Sequence, residues 1–163
     1  MKMMHHVLTL GLAASLAACG STPPVLVNGN GAPLARQITA ADHCGLTAPG
    51  LVYIDSQSDL AKFRRLPEQN LNLSTVNGLE FDREHLVVVG LGRKPTGGYG
   101  VTMTSFEMSG DTLTLAMLAR DPAPKMMVPQ VLTTPCAVVA VSASGWETLR
   151  ITGEGLPDMS RSR

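Results

Sequence analysis

Leu86-Val87-Val88-Val89 is an unbroken aliphatic run inside Glu84 to Leu91. A run of that length, bounded by polar residues and glycine, reads as a buried strand. Cys136 to Val141 repeats the pattern. Aromatic residues are only 4% of the chain, so the core must be built from Val, Leu, Ile and Met. Two further segments alternate instead. Val101 to Met108 sets Val101, Met103 and Ser105 against Thr102, Thr104 and Phe106. Thr112 to Leu118 sets Leu113, Leu115 and Met117 against Thr112, Thr114 and Ala116. Alternation marks strands, and Ser109-Gly110-Asp111 between them is a hairpin turn.

Weaker or shorter β patterns, not all of them strands, run over Arg36 to His43, Leu51 to Ile54, Val131 to Thr134 and Gly145 to Thr152. Asp55, Ser56 and Ser58 are capping types, and Leu60, Phe63 and Arg64 follow at helical spacing, so a helix is expected over Asp59 to Leu66. Pro67 stops it. One short helix against about six strands, with hairpin-length links between the central ones, predicts an α+β fold with a mainly antiparallel sheet.

The N-terminus has a different character. Lys2, the apolar stretch Val7 to Ala14 and the small residues after it have the layout of an export signal. The apolar part is too short to span a membrane. It ends Leu16-Ala17-Ala18-Cys19, which resembles a bacterial lipobox. In such signals the chain is cleaved before the cysteine, which is then acylated; the alternative is an ordinary signal with a chance cysteine. Several acyl chains on Cys19 would hold the protein firmly at a membrane. Gly20, rather than Asp, follows Cys19, and the resemblance then implies the periplasmic face of an outer membrane where the source has one. The expected organisation is a lipoprotein signal over 1–18, a flexible Pro/Gly/Asn tether over 19–33, a domain over 34–152 and a polar tail over 153–163.

Thirteen Lys and Arg balance thirteen Asp and Glu, giving a formal net charge of zero. That argues against nucleic acid as a partner, which needs a basic surface. Beyond the signal, His43, His85, Cys44 and Cys136 show no metal-ligand spacing, and no metal or cofactor is expected. Gly90-Leu-Gly92 follows a strand, but Pro95 stands where a dinucleotide fingerprint needs its third glycine, and a strand follows rather than a helix. Gly92 and Gly97 have the spacing of a phosphate loop, but Gly98 and Tyr99 stand where it needs Lys and Ser or Thr. No serine elbow is present. The reading is non-catalytic. Once Cys19 is set aside, Cys44 and Cys136 form an even pair in an exported chain, which points to a disulfide rather than two buried thiols.

Gly92 to Gly100 reads GRKPTGGYG. Pro95 fixes one φ angle, and Gly97-Gly98 admit positive φ. The loop is either a plain strand connector with Tyr99 packed on the sheet, or a shaped surface that presents Lys94, Pro95, Thr96, Gly97, Gly98 and Tyr99 to a partner.

Phe81 to Met103 resembles the PrcB-like domain, named for a subunit of a bacterial extracellular protease complex. The resemblance lies in an acidic-aromatic start, an aliphatic strand and G-x-K-P-T-G-G-Y, matched by Gly92, Lys94, Pro95, Thr96, Gly97, Gly98 and Tyr99. Thr133 to Val141 resembles the family's closing strand, with Pro135-Cys136 where Pro-Tyr is commoner. The resemblance implies a non-catalytic, secreted or lipid-anchored domain that assembles with or stabilises a protein, a protease in the family's namesake. KPTGGY is also similar to the NPTTGY loop of chagasin-type cysteine-protease inhibitors. Those are all-β sandwiches, so a helix near 59–66 would speak against that reading. A structural envelope lipoprotein is the third alternative.

Overall fold

The computed structural model describes residues 26–27, 29 and 31–163. The expected signal, Cys19 and the tether as far as Val25 lie outside the described residues. The strands are β1 (Ala35–Ala41), β2 (Pro49–Ile54), β3 (Glu84–Leu91), β4 (Gly100–Ser109), β5 (Thr112–Arg120), β6 (Cys136–Ser142), β7 (Thr148–Glu154) and β8 (Met159–Ser162). One helix, α1 (Gln57–Arg64), and a single 3₁₀ turn, Ser74–Val76, lie between β2 and β3. The described residues are thus mostly β with one short helix. They form eight strands rather than about six, in two four-stranded sheets rather than one.

The inner sheet has the order β1-β6-β3-β2 and is antiparallel throughout. Its central strands are buried on both faces. Val87, Val89, Leu91, Ala137, Val139 and Val141 face the other sheet. Leu86, Val88, Val138 and Ala140 face a second core closed by Leu60 and Phe63 of α1 and by Leu71, Leu73 and Val76. A strand with no solvated face has no position for a polar side chain, which accounts for the continuous aliphatic runs. Helix α1 begins two residues earlier than expected because Ser56 is its cap: Asp59 N–H donates to Ser56 Oγ at 3.2 Å.

The outer sheet has the order β4-β5-β7-β8. It buries Val101, Leu113, Leu115, Met117, Leu149 and Ile151 against the inner sheet. One expectation fails here, and the mainly antiparallel pattern has one exception. Ser105, not Thr104, pairs with Ala116, so β4 carries a bulge between Met103 and Ser105. The bulge shifts the side-chain phase by one, and Phe106 packs on the core instead of sharing the face of Thr102. Also, β7 pairs with β5 in parallel. The chain leaves β5, crosses to the inner sheet as β6 and returns, and such a crossover is the connection that parallel pairing requires. At Gly153 the two strands approach so closely that a Cβ would stand 1.8 Å from the Met117 carbonyl oxygen.

Part of 153–163, expected as a polar tail, is strand β8 and completes the outer sheet. Val131 to Thr134 forms no strand; Thr133 and Thr134 make only isolated bridges, to Lys94 and His43. The edges of the sheets are tied at β1 and β4. Gln37 Oε1 accepts from Met103 N–H at 2.7 Å and from the Thr102 hydroxyl at 3.0 Å.

Candidate interaction site at the Lys94–Tyr99 loop

Residues 92–99 carry the chain from β3 in the inner sheet to β4 in the outer one. Gly92 turns the chain at φ +71°, so close to β2 that a Cβ there would meet Pro49 N at 2.6 Å. Beyond it the loop is braced by residues 121–135. Lys94 N–H donates to Thr133 O at 2.8 Å, and Thr133 N–H donates back to Lys94 O at 3.0 Å. The Thr133 hydroxyl donates to Thr96 O at 2.8 Å. Gly97 N–H donates to Pro129 O at 2.9 Å. The loop therefore has one fixed shape, as its proline and glycines imply.

The six loop residues do not play equal parts. Pro95 is exposed, Gly97 is buried, and Lys94, Thr96, Gly98 and Tyr99 are half-buried. Tyr99 packs on the main core, and Lys94 Nζ stands 5.2 Å from its ring centroid, within cation–π range. The Thr96 hydroxyl donates to Gly97 O at 3.1 Å. Gly98 alone of the glycine pair has positive φ, +87°, and a Cβ there would lie 2.9 Å from Val128 Cγ1. Gly97 is kept small by Pro129, whose Cδ would lie 3.1 Å from its Cβ. The two glycines thus serve different needs, one conformational and one steric.

Two cavities flank the loop. One, of about 350 Å³, is lined by Gln37, Asp42, Tyr99, Arg120 and Cys136. The other, open and of about 610 Å³, is lined by His43, Glu68, Asn70, Arg93 and Leu132. Each brings one cation and one carboxylate to the rim. The first cavity adjoins the disulfide that the cysteine count predicts: Cys136, in its lining, is bonded to Cys44, with Cα atoms 6.0 Å apart. Thr134 supports the same corner, its Oγ1 accepting from Cys44 N–H at 3.0 Å and Gly45 N–H at 3.1 Å.

This is the setting of the G-x-K-P-T-G-G-Y motif: a braced loop between a doubly buried strand and an alternating one. Residues 85–142 match the family model described as PrcB C-terminal. The PrcB C-terminal match thus runs from β3 through the loop, the hairpin β4–β5 and the brace to the end of β6. It includes all six loop residues and Cys136, and leaves Cys44 outside. No curated protein and no solved structure matches the chain.

The remaining candidates for chemistry are placed as follows. The cysteines are bonded to each other, so neither is a free thiol. His85 lies at the start of β3, where its Nε2–H donates to Phe81 O at 2.9 Å and its Nδ1 accepts from the Tyr53 hydroxyl. Burial holds its pKa below the ordinary value, against the opposing hydrogen bond to Phe81. Burial likewise raises that of Tyr53. Arg161 and Arg163 lie over the rings of Tyr53 and Trp146, 4.5 and 4.4 Å from the ring centroids. Among the described residues no group of three or more His, Cys, Asp or Glu could hold a metal ion, and no helix is long and apolar enough to cross a membrane.

Sequence reasoning missed the brace and its exposed face. Met126, Met127, Val131 and Leu132 all stand out to solvent. Their one signal was an aperiodic apolar cluster within a proline-rich segment.

Proposed function

We propose that this chain is a non-catalytic cell-envelope protein, anchored by acyl chains on Cys19, that binds and stabilises another envelope or secreted protein through the Lys94–Tyr99 end. The observation that carries the reading is the loop itself. It coincides with the PrcB C-terminal match, and hydrogen bonds from the 121–135 segment hold it in one shape. A preorganised loop loses little entropy when a partner docks. The family resemblance favours a protease complex as the source of that partner. The match fits assembly with a protease better than its inhibition, since the helix expected to speak against a chagasin-type inhibitor is present as α1.

Two measurements test the two halves. Cys19→Ser should move the protein from the membrane to the soluble fraction, because acylation at this position depends on the cysteine thiol; a variant that still pelleted after high-salt washing would defeat the lipid-anchor reading. A photo-crosslinking residue at position 95, the exposed point of the loop, should capture one defined protein in the source cells. Absence of any captured protein would defeat the partner-binding reading.

A further inference from the structure

Residues 121–135 show four large apolar side chains within seven positions. Met126, Met127, Val131 and Leu132 are 56, 98, 50 and 61% exposed. Exposed apolar residues are normally scattered singly, and a concentration of them marks a contact surface. These four do not hang on a loose strand. Val128 lies under Gly98, Pro129 and Thr133 bond to the Lys94–Gly97 backbone, and Met126 N–H closes a turn on Ala123 O at 3.0 Å. Lys125, just before the methionines, holds φ +67°. A lysine in that left-handed region is strained, and such strain persists where the surroundings fix it, commonly at binding surfaces.

The charge is uneven as well. Residues 92–100 and 120–135 carry four cations, Arg93, Lys94, Arg120 and Lys125, against one acid, Asp121, in a chain whose total is zero. Every ion pair between described side chains lies elsewhere, on Arg36, Lys62, Arg83 and Arg150. The two loops therefore carry both exposed apolar side chains and more cations than acids.

We propose that the loops 92–100 and 121–135 form one docking surface for an acidic protein segment bearing an apolar side chain. Met126 and Met127 receive the apolar group, and Lys94, Lys125 and Arg93 meet the flanking carboxylates. The inference rests on the partner-binding reading above and adds the surface and the partner's chemistry. Methionine suits the role because its unbranched, polarisable side chain adapts to varied shapes. Asp42 and Glu68 stand at the rims of the flanking cavities beside Arg120 and Arg93, so the excess of positive charge falls on the Lys94 and Lys125 positions that the test reverses. A lipid-facing surface would present a denser, single-sign basic cluster.

The test uses the full chain in its source cells, with a photo-crosslinking residue at position 127 and, separately, at position 95. Both positions should capture the same protein, and the peptide joined at position 127 should carry an apolar residue flanked by Asp or Glu. Lys94→Glu combined with Lys125→Glu should lower the yield at position 127 about tenfold, as juxtaposed like charges do, while the thermal midpoint moves only by the loss of the Lys94–Tyr99 contact, which Lys94→Ala measures separately. The proposal is overturned if position 127 couples to lipid or to a basic segment, or if the charge reversal leaves the yield unchanged. Capture at position 95 with none at 127 would leave the partner-binding reading standing and remove this one, whereas silence at both positions would remove both.

Discussion

The inner and outer sheets have the same number of strands and share one core, yet they are written in different sequence languages. In the inner sheet β6 is buried along its whole length and β3 from Leu86 onward. One face meets the outer sheet and the other meets α1 and the Leu71–Val76 segment. In the outer sheet only one face is covered. Leu113, Leu115 and Met117 are buried, while Thr112, Thr114 and Ala116 between them are half-buried. A covered face demands apolar residues and an open one tolerates hydroxyls, so continuous runs and alternation report how many layers lie on a strand. The helix is thus what makes the two sheets different, although it covers only a small area.

The comparison breaks most severely at the inner sheet's staple. Cys44→Ala with Cys136→Ala opens a loop of 92 residues, and the chain-entropy model puts the loss at about 4–5 kcal/mol. The midpoint of urea unfolding should fall accordingly, and an unchanged midpoint would mean that the cysteines contribute only as buried apolar groups. The outer sheet's counterpart is Gly153. Gly153→Ala drives a methyl into the Met117 carbonyl, 1.8 Å away, and forces β5 and β7 apart. A loss of about 3–4 kcal/mol is expected, in the range of severe backbone clashes. Amide exchange should show it first in β7 and β8, with the inner sheet still protected; uniform loss of protection would show that the sheets do not separate as units.

The face rule itself can be tested with one pair of alanines. Leu86→Ala removes a fully buried side chain from the helix-facing side of β3, at a cost of about 2–5 kcal/mol. Thr114→Ala changes the open face of β5, which is only half-buried, and should stay within about 0.5 kcal/mol. Both positions lie in central strands on the side away from the shared core. Similar losses at both, measured by denaturant midpoints, would mean that something covers the outer sheet too.

Much of this was legible in the sequence for a reason the comparison supplies. The strands β3, β5 and β6 carry unmistakable patterns because burial on a fixed number of faces writes them. The presence of a helix after the capping residues Asp55 to Ser58, though not its first residue, and the turn at Ser109–Asp111 were legible because their chemistry is local. What could not be read is non-local. The parallel partner of β5 arrives only after the chain has visited the other sheet, and no residue in Thr148–Glu154 announces direction. The bulge at Thr104 inserts one residue without a glycine to mark it, so Phe106 was placed on the wrong face. β8 is short and polar because it is an edge strand, and Met159-Ser160-Arg161-Ser162 looks like a tail for that reason. At the candidate site, the glycine-rich loop was visible, but its brace was not. The bonds from Lys94 to Thr133 and from Gly97 to Pro129 join segments more than thirty residues apart, through backbone groups that any residue possesses.

The smallest expected effect lies where the two sheets meet on their other margin. There Tyr53 of β2 and His85 of β3 share a hydrogen bond, Trp146 meets Tyr53 edge-on at 6.1 Å, and Arg161 and Arg163 from the end of the outer sheet lie over the two rings. This margin holds an ionisable group, whereas the Gln37 tie at the opposite margin does not titrate. His85 is neutral in the fold: Nε2–H donates to Phe81 O, so Nδ1 must be the acceptor from Tyr53. Burial, with a smaller contribution from Arg163, keeps its folded pKa below the ordinary 6.5, while the hydrogen bond to Phe81 and, more weakly, Asp55 oppose it. A depressed histidine pKa means that the unfolded chain binds the proton more readily. The stabilisation is therefore complete above about pH 6.5 and is lost as the pH falls through the lower folded value. His85→Gln removes the titration, so the difference in unfolding midpoint between the two proteins should narrow as the pH is lowered from 7.5 to 5, while the contribution of the carboxylates cancels. Loss of the Tyr53 hydroxyl in Tyr53→Phe should lessen the pH dependence without abolishing it, because the burial of His85 remains. A constant difference between His85→Gln and the parent chain across that range would show that protonation of His85 leaves this margin undisturbed, and that the two margins hold the sheets in equivalent ways.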